Sequence, residues 1–154
     1  MTEAEYIRRA EAIRSRLYRT ALLYLGGEAM AVDAVDEAVY KGFLALKKLR
    51  QPEFCETWLT RILINVCKTE QKRRGRFQSI EDTPEDSWSG QLDQLPLREA
   101  IRKLPDELRA VVILRYFSGY TLEETAQTLE IPRGTVTSRQ KRALELLRLD
   151  LKED

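Results

Sequence analysis

Residues 120–143 read Tyr-Thr-Leu-Glu-Glu-Thr-Ala-Gln-Thr-Leu-Glu-Ile-Pro-Arg-Gly-Thr-Val-Thr-Ser-Arg-Gln-Lys-Arg-Ala, and this stretch decides the fold of the C-terminal part of the chain. Thr121, followed three residues later by Glu124, forms a capping box, which predicts the start of a helix. Ile131-Pro132 predicts its end, because a residue that precedes proline avoids the αR conformation.

A second helix is expected after the proline. Gly134 is predicted to make the tight turn, and Thr135 to cap a helix that starts at about Val136. Successive residues of a helix are turned by about 100°, which predicts two opposite faces. The buried face is predicted to carry Val136, Gln140, Ala143 and Leu147, and the exposed face Thr137, Ser138, Lys141 and Arg142.

The exposed face of this second helix combines two bases with two hydroxyl groups. Arg and Lys side chains pair with guanine edges in the major groove, and hydroxyl groups bind phosphates. A charged outer face is also typical of a solvated surface helix. The capped helix and the short turn in front of it nevertheless favour a helix-turn-helix that binds duplex DNA.

The charges of the chain are nearly balanced but sorted into blocks. Its 154 residues carry 26 Lys and Arg against 25 Asp and Glu, a net charge of +1. Residues 61–76 are strongly basic, whereas residues 81–93 contain five acids and no base. Such segregation predicts distinct surfaces for distinct partners. The length suits one domain or two small ones, and the apolar content suffices for real cores.

Apolar residues recur at helical spacing from Thr2 to about Arg74, which predicts three helices. The first ends at Gly26-Gly27, the second runs from about Ala29 to Leu49, and the third from about Phe54. The predicted buried positions are Tyr6, Ile13, Leu17, Ala21 and Tyr24 in the first helix and Val32, Val35, Val39, Phe43 and Leu46 in the second.

The remaining sequence predicts a tether and a second helical unit. Residues 75–92 show no periodicity and are interpreted as a flexible acidic linker. Helical spacing resumes from Leu95 to Leu151, with breaks at Leu104-Pro105, Ser118-Gly119 and Ile131-Pro132, which gives four short helices. The prediction is an all-α chain with two small domains, residues 1–74 and 93–154, joined by this linker.

A second candidate nucleic-acid surface lies on the third helix. Leu59, Ile62, Leu63 and Val66 form its apolar face, and Trp58 at the seam is interpreted as core. The opposite face carries Arg61, Asn65, Lys68 and Lys72. Three cations and one amide suit a phosphate backbone and a base edge, although a solvated face is the alternative. The preceding loop, Arg50-Gln-Pro-Glu-Phe54, could hold an unstacked base.

Four motifs occur in a fixed order: residues 33–40, Asp-Ala-Val-Asp-Glu-Ala-Val-Tyr; residues 57–65, Thr-Trp-Leu-Thr-Arg-Ile-Leu-Ile-Asn; residues 104–109, Leu-Pro-Asp-Glu-Leu-Arg; and residues 134–139, Gly-Thr-Val-Thr-Ser-Arg. In these motifs the chain resembles the bacterial sigma factors of the extracytoplasmic-function group. The resemblance covers about residues 5–149. It implies an N-terminal domain that melts the minus-ten promoter element and a C-terminal domain that reads the minus-thirty-five element.

The resemblance also implies roles for single residues. The minus-ten strand is expected to contact Leu49, Arg50, Gln51, Pro52, Glu53, Phe54, Arg61, Asn65, Lys68 and Lys72. The major groove is expected to receive Thr137, Ser138, Lys141 and Arg142, with Arg133, Thr135 and Arg139 on phosphates. The polymerase clamp helices are expected to contact Asp33, Asp36, Glu37 and Tyr40, which also suit a solvated face. The implied partners are core RNA polymerase, promoter DNA and an anti-sigma protein.

Three positions depart from the family pattern. Ala34-Val-Asp-Glu37 stands where Asp-Leu-Val-Gln is usual, and Thr137 where a base is usual. Gln140 occupies a normally apolar position, so we expect it to be partly exposed or hydrogen-bonded, because an unpaired buried amide costs about 1–3 kcal/mol.

Enzymatic and metal-binding functions are not predicted. The chain has no histidine, so Ser-His and Cys-His nucleophile pairs and zinc-bound imidazoles are absent. It has no phosphate-cradling Gly-rich loop, and no cofactor or small-molecule substrate is expected. Two cysteines, no predicted signal peptide and no membrane-spanning run favour a bacterial cytoplasmic protein, and an inert Cys55 is favoured over a redox role. The alternatives are a helix-turn-helix regulator that acts without core polymerase and a helical adaptor without DNA contact.

Overall fold

The computed structural model describes residues 1–76 and 95–152, which belong to two compact helical units. No β-strand occurs in these ranges. The predicted acidic linker lies outside them, except for residues 75 and 76, which are the end of a helix. None of the helices within the described ranges combines the length and apolarity that a bilayer crossing requires.

The N-terminal unit contains four α-helices. They are α1 (Glu3–Ala12), α2 (Arg14–Leu25), α3 (Glu28–Leu44) and α4 (Cys55–Arg76). Helices α2, α3 and α4 pack on one another, and α1 lies against α3 and α4. Their shared core includes the fully buried side chains Leu17, Tyr24, Val35, Leu59 and Leu63.

The first predicted helix is divided in two at Ile13, so this unit has four helices rather than three. Ile13 has φ −109° and ψ 13°, outside the helical region, and its amide donates to the carbonyl of Ala10 over 3.3 Å. Neither glycine nor proline marks the break. Tyr6, Ile13 and Leu17 are all buried as predicted. The burial pattern therefore continues across a change of helix direction.

Helix α3 is shorter than predicted and rotated relative to the predicted face. It ends at Leu44, and residues Leu46–Lys48 form a separate 3-10 turn. Val32 was expected to be buried, but 43% of it is exposed. The buried positions are instead small, namely Ala31, Ala34, Val35, Ala38 and Gly42. Small side chains let α3 lie close to its neighbours, and a prediction based on large apolar residues misplaces the face.

Gly42 lies where another side chain approaches the backbone of α3 closely. A Cβ atom at residue 42 would collide with the phenol of Tyr6. Tyr6 is fully buried, and its hydroxyl donates to the Val39 carbonyl over 2.7 Å. The absence of a side chain at residue 42 therefore lets α1 lie on α3.

The end of α2 is capped by α4. Gly26 adopts a left-handed conformation with φ 86°, the usual way to end a helix with glycine. Gln71 donates to the Tyr24 carbonyl over 2.7 Å, and Arg74 donates to the Leu25 carbonyl over 3.1 Å. Part of the basic block on α4 thus satisfies backbone carbonyls that α2 leaves unpaired.

The C-terminal unit contains the four predicted helices. They are α5 (Leu95–Lys103), α6 (Asp106–Val112), α7 (Leu122–Leu129) and α8 (Arg133–Lys152). Helix α6 continues into a π-helical turn, Ile113–Phe117. The three predicted breaks all occur, and Gly119 has φ 76° at the second. Helix α8 packs against α5, α6 and α7, which leaves one of its sides on the surface.

Candidate nucleic-acid and partner interfaces

The predicted capping box at the start of α7 is present. The Thr121 hydroxyl accepts a hydrogen bond from the Glu124 amide over 3.0 Å. The Glu124 carboxylate accepts one from the Thr121 amide over 2.9 Å. Ala126 is buried against Val111 and Val136, so α7 is anchored on both α6 and α8.

The turn between α7 and α8 differs from the prediction. Glu130, not Gly134, takes the left-handed conformation, with φ 57°. Helix α8 begins at Arg133, and the Pro132 carbonyl accepts from the Thr135 amide over 3.0 Å. Thr135 is therefore inside the first turn and does not cap the helix. Gly134 is helical with open space around it, so the turn does not require it.

Helix α8 has the two predicted faces. Val136, Ala143 and Leu147 are buried. The opposite side chains, Thr137, Ser138, Lys141 and Arg142, are all exposed. The hydroxyl groups of Thr137 and Ser138 donate to backbone carbonyls one turn earlier, each over 3.2 Å. Their oxygen atoms keep lone pairs that face solvent, and the cations of this face lie one turn further along.

The three predicted phosphate ligands lie beside this face. Arg133 is exposed and forms an ion pair with Glu123 of α7, with 3.4 Å between Nε and Oε1. Thr135 and Arg139 are half-buried. The ion pair thus holds the Arg133 side chain against α7 at the first residue of α8.

Gln140 meets the expectation for an amide on the buried stripe. It is half-buried, and its Oε1 atom accepts a hydrogen bond from Nε of Arg115 over 3.1 Å. The sequence alone did not identify Arg115 as the partner, because the two residues are 25 positions apart.

The cationic track on α4 is accessible along its length. Asn65 and Lys72 are exposed, whereas Arg61 and Lys68 are half-buried. On the opposite face Leu59, Leu63 and Val66 are buried as predicted. The helix therefore places three bases and one amide along one side of the N-terminal unit.

The loop before α4 presents polar side chains to solvent. Pro52–Phe54 form a 3-10 turn, in which the Phe54 amide donates to the Gln51 carbonyl over 2.9 Å. Residues 50–53 are exposed, and Leu49 and Phe54 are half-buried. The loop leads directly into α4. Its exposed residues are therefore followed along the chain by the cationic track.

A bidentate ion pair at the start of α4 was not predicted. Arg9 of α1 donates from Nε and Nη2 to the two carboxylate oxygens of Glu56, over 2.8 and 2.6 Å. The hydrogen bond from Arg9 lowers the pKa of Glu56, against an opposing effect of burial. Trp58, which was interpreted as core, is half-buried and packs edge-on against the buried Tyr6, with ring centroids 6.5 Å apart. The first turn of α4 is thus fixed to α1.

Both cysteines are buried thiols. Burial, with a smaller contribution from Glu56, raises the pKa of Cys55. Burial also raises the pKa of Cys67 to about 12. Since the thiolate is the reactive form, these environments disfavour redox chemistry at either position.

The predicted polymerase-docking face on α3 is exposed. Asp33, Asp36 and Glu37 face solvent, as does Tyr40, which is 61% exposed. Asp36 forms an ion pair with Arg14 of α2, and Glu37 pairs with Lys41 over 3.0 Å.

A groove of about 240 Å³ adjoins the docking face between α3 and α4. Asp33 and Glu37 line its α3 side, and Glu70 and Arg73 its α4 side. Met30 and Val66 add apolar surface. The groove adds one acid to the face, Glu70, which forms an ion pair with Arg73 over 3.4 Å.

Two family models match this chain. Sigma-70 region 2 matches residues 10–77, and Sigma-70, region 4, matches residues 100–149. The first ends where the described part of the N-terminal unit ends, and the second covers the helix-turn-helix.

Curated relatives match most of the chain. RNA polymerase sigma factor SigV of Bacillus subtilis is 32% identical over 142 residues, which cover 89% of this chain and 86% of the relative. ECF RNA polymerase sigma factor SigL of Mycobacterium tuberculosis is 31% identical over 154 residues, 89% of this chain and 83% of the relative.

Two solved structures share the fold. One is the sigma factor RpoE in complex with the anti-sigma factor NepR from Bartonella quintana, at a TM-score of 0.75 and 24% identity, covering 97% of this chain and 98% of that one. The other is CnrH in complex with the cytosolic domain of CnrY, at a TM-score of 0.77 and 21% identity, covering 99% of this chain and 91% of that one. With its two sigma-70 regions and relatives above 30% identity, the chain belongs to the extracytoplasmic-function group of RNA polymerase sigma factors.

Proposed function

We propose that this chain is a promoter-specificity subunit that binds core RNA polymerase and directs initiation at promoters with two separate elements. It contributes binding and no catalysis of its own. As a polymerase subunit it acts in the bacterial cytoplasm.

The observation that carries the proposal is a pair of accessible cationic helix faces, one in each unit. The α4 face bears Arg61, Lys68 and Lys72, and the α8 face bears Lys141 and Arg142. Each is backed by a buried apolar stripe, so the cations are held on rigid helices. One protein with two such faces can bind the same DNA at two places, which suits a promoter with two elements better than a single operator.

The exposed face of α8 is proposed to bind the minus-thirty-five element as duplex DNA. A recognition helix enters the major groove, where Arg and Lys read guanine and hydroxyl groups add contacts. Thr137, Ser138, Lys141 and Arg142 lie on the solvent side of α8, and Arg133 and Arg139 flank them for phosphates.

The cationic face of α4 and the loop before it are proposed to bind one unpaired strand of the minus-ten element. Opening a few base pairs costs several kcal/mol, which stacking and phosphate contacts must offset. The loop of residues 49–54 offers exposed polar groups for a flipped base, and the track from Arg61 to Lys72 continues along the strand.

The acidic face of α3 is assigned to the polymerase clamp helices. Asp33, Glu37 and Tyr40 are exposed there, and the groove beside them adds Glu70. The acids attract a basic partner, and the exposed tyrosine supplies apolar contact area of the kind that anchors interfaces.

An anti-sigma protein is proposed as a further partner. A sigma factor of the same fold, RpoE, has been solved with the anti-sigma factor NepR. A protein of this kind would regulate the chain by covering surfaces that the polymerase or the promoter needs.

The proposal is tested by transcription from genomic DNA of the source bacterium, with core polymerase freed of sigma factors. Added to core polymerase, the full chain is expected to produce start sites that share two sequence elements at one spacing. The control reaction contains core polymerase alone. A conventional helix-turn-helix regulator would instead give no starts, together with a salt-sensitive duplex complex that forms without polymerase.

A further inference from the structure

Gln140 is a polar residue on the buried stripe of α8. Val136 and Ala143 on either side of it are fully buried, and Leu147 follows one turn later. An amide in such a place must be hydrogen-bonded to recover what it loses on leaving water. The hydrogen-bond partner of Gln140 therefore indicates the structural role of this amide.

The partner is Arg115 in the π-helical turn after α6. Its Nε donates to Oε1 of Gln140 over 3.1 Å, and its Nη1 donates to the Tyr120 carbonyl over 2.9 Å. Tyr120 directly precedes Thr121, the residue that caps α7. One guanidinium thus joins three segments: the turn after α6, the start of α7 and the middle of α8.

The π-helical turn brings the guanidinium to this position. The Ser118 amide donates to the Ile113 carbonyl and the Tyr120 amide to the Leu114 carbonyl, each over 2.9 Å. These two hydrogen bonds close the turn that contains Arg115. π-Helical turns of this kind are often found at functional sites.

The bond to Gln140 constrains the rotation of α8 about its own axis. Successive residues of a helix are turned by about 100°, so Gln140 lies about 200° from Ser138 and from Arg142, on the packed side of α8. Side-chain ends lie roughly 5–6 Å from the axis of a helix, so a rotation of about 10° moves them by about 1 Å. A shift of that size is enough to misalign a hydrogen bond to a base edge.

We propose that Arg115 is a positioning residue for promoter readout: through Gln140 and the Tyr120 carbonyl it sets the rotation of α8 relative to α7. The proposal rests on the assignment of the exposed α8 face to the minus-thirty-five element. The proposed role of Arg115 is exerted through Gln140 and Tyr120 and requires no contact of its own with a base. Arg115 fixes where Lys141 and Arg142 meet the groove.

The experiment measures sequence selection by the full chain with core polymerase. Promoter duplexes are randomised either at the upstream element or at the minus-ten element, and the DNA retained in initiation complexes is sequenced. Arg115→Met keeps an unbranched apolar stem and removes both donors. It is expected to lower the enrichment of the preferred upstream sequence by about tenfold. Enrichment at the minus-ten element is expected to stay at the wild-type level.

Two further variants separate positioning from folding. Gln140→Glu keeps the accepting oxygen and is expected to retain upstream selection. Arg115→Met combined with Gln140→Leu removes the amide that Arg115→Met alone would leave without its partner, so thermal stability is expected to return towards wild type while selection stays low. Thermal unfolding of every variant is measured in parallel.

Each alternative result has a distinct meaning. Full upstream selection by Arg115→Met overturns the inference, and so does a double variant that regains selection together with stability. A wild-type chain that enriches no upstream sequence overturns the assignment of the α8 face, and this inference with it.

Discussion

At the scale of single residues, the ion pair between Arg9 and Glu56 determines how the first turn of α4 is held against α1. Both side chains are about one quarter to one third exposed, and the pair is bidentate. It fixes the first turn of α4 to α1 while Phe54 and the loop before it stay accessible. In the proposed complex, a loop that is joined to this fixed turn would receive an unpaired base at a lower entropic cost.

This pair predicts a pH dependence of stability. The folded-state pKa of Glu56 is lowered, so its contribution is present above the unfolded pKa and is lost as the pH falls through the folded pKa. Glu56→Gln is expected to lower the free energy of unfolding at pH 7 by about 1–2 kcal/mol. Urea unfolding at several pH values checks this, and the difference from wild type should shrink below about pH 4.

The control for Glu56 is Glu11→Gln, because Glu11 pairs with Arg14 at 3.4 Å in an exposed position. This change should have little effect at any pH. An equal loss of stability in both variants, or a pH-independent loss at Glu56, would contradict the assignment.

A second prediction at this scale concerns Arg142. Arg142→Ala is expected to cost about 1–3 kcal/mol on the upstream element and to relax one base position. Arg148→Ala is the matched control, because it removes the same charge from an exposed position six residues, about 9 Å, further along α8. Competition binding with single-base variants of the upstream element measures both. A uniform weakening over all sequences would make Arg142 a phosphate contact.

Local features of single residues could be predicted from the sequence, whereas contacts between distant residues could not. The capping box and the amide at residue 140 were predicted, because each follows from the chemistry of neighbouring positions. Glu130 in the left-handed region was not, since glycine is the usual choice and Gly134 was close by. Arg9–Glu56 and Arg115–Gln140 join residues 47 and 25 positions apart, which no local pattern reveals.

At the scale of helices, the spacing of apolar residues predicted most elements, and close packing decided the rest. The large residues of α3 suggested a buried Val32, but the side that faces the core is lined by small residues and Gly42. The break at Ile13 has no local signal, because packing of α1 on α3 and α4 determines its direction. Sequence periodicity predicts that a helix forms. Packing against the neighbouring helices determines which face is buried and where the helix ends.

Gly42 provides a prediction about helix packing. Gly42→Ala is expected to destabilise the chain by about 1–3 kcal/mol, because the new methyl group collides with the Tyr6 phenol. Gly134→Ala, also in a helix but with open space, should be neutral or slightly stabilising. Thermal unfolding compares them. In a Tyr6→Phe background the cost at residue 42 should fall, and an unchanged cost would exclude this contact as the cause.

The α4 track provides a prediction about DNA opening. Asn65 is exposed in the middle of this helix, where the minus-ten strand is assigned. Asn65→Ala is expected to reduce promoter opening by about fivefold to tenfold, the value of one or two hydrogen bonds, and to leave upstream duplex binding unchanged. Permanganate reactivity of promoter thymines measures opening. Unchanged reactivity would remove Asn65 from the single-strand contacts.

At the scale of the whole molecule, the chain is two helical units that share one task. Each has its own core and its own cationic face, and the sequence between them is acidic in residues 81–93. DNA repels an acidic segment, which agrees with the proposal that the two basic faces make the DNA contacts. Two modest binding sites on one chain gain from effective concentration, so neither has to bind tightly alone. This organisation predicts that the promoter is chosen by both elements and by the distance between them.

Doubling the segment between the units tests this organisation. The sequence between the described parts of the two units, residues 77–94, is extended by about 18 Gly and Ser residues. For a segment of Gly and Ser, effective concentration falls roughly as the −3/2 power of length, so two-element affinity should fall only about threefold. Binding of core polymerase should be unchanged, since the docking face lies within α3. Affinity for promoters with altered spacing should then approach that of the normal spacing. Retained discrimination against altered spacing would mean that polymerase, and not the tether, sets the distance between the two units.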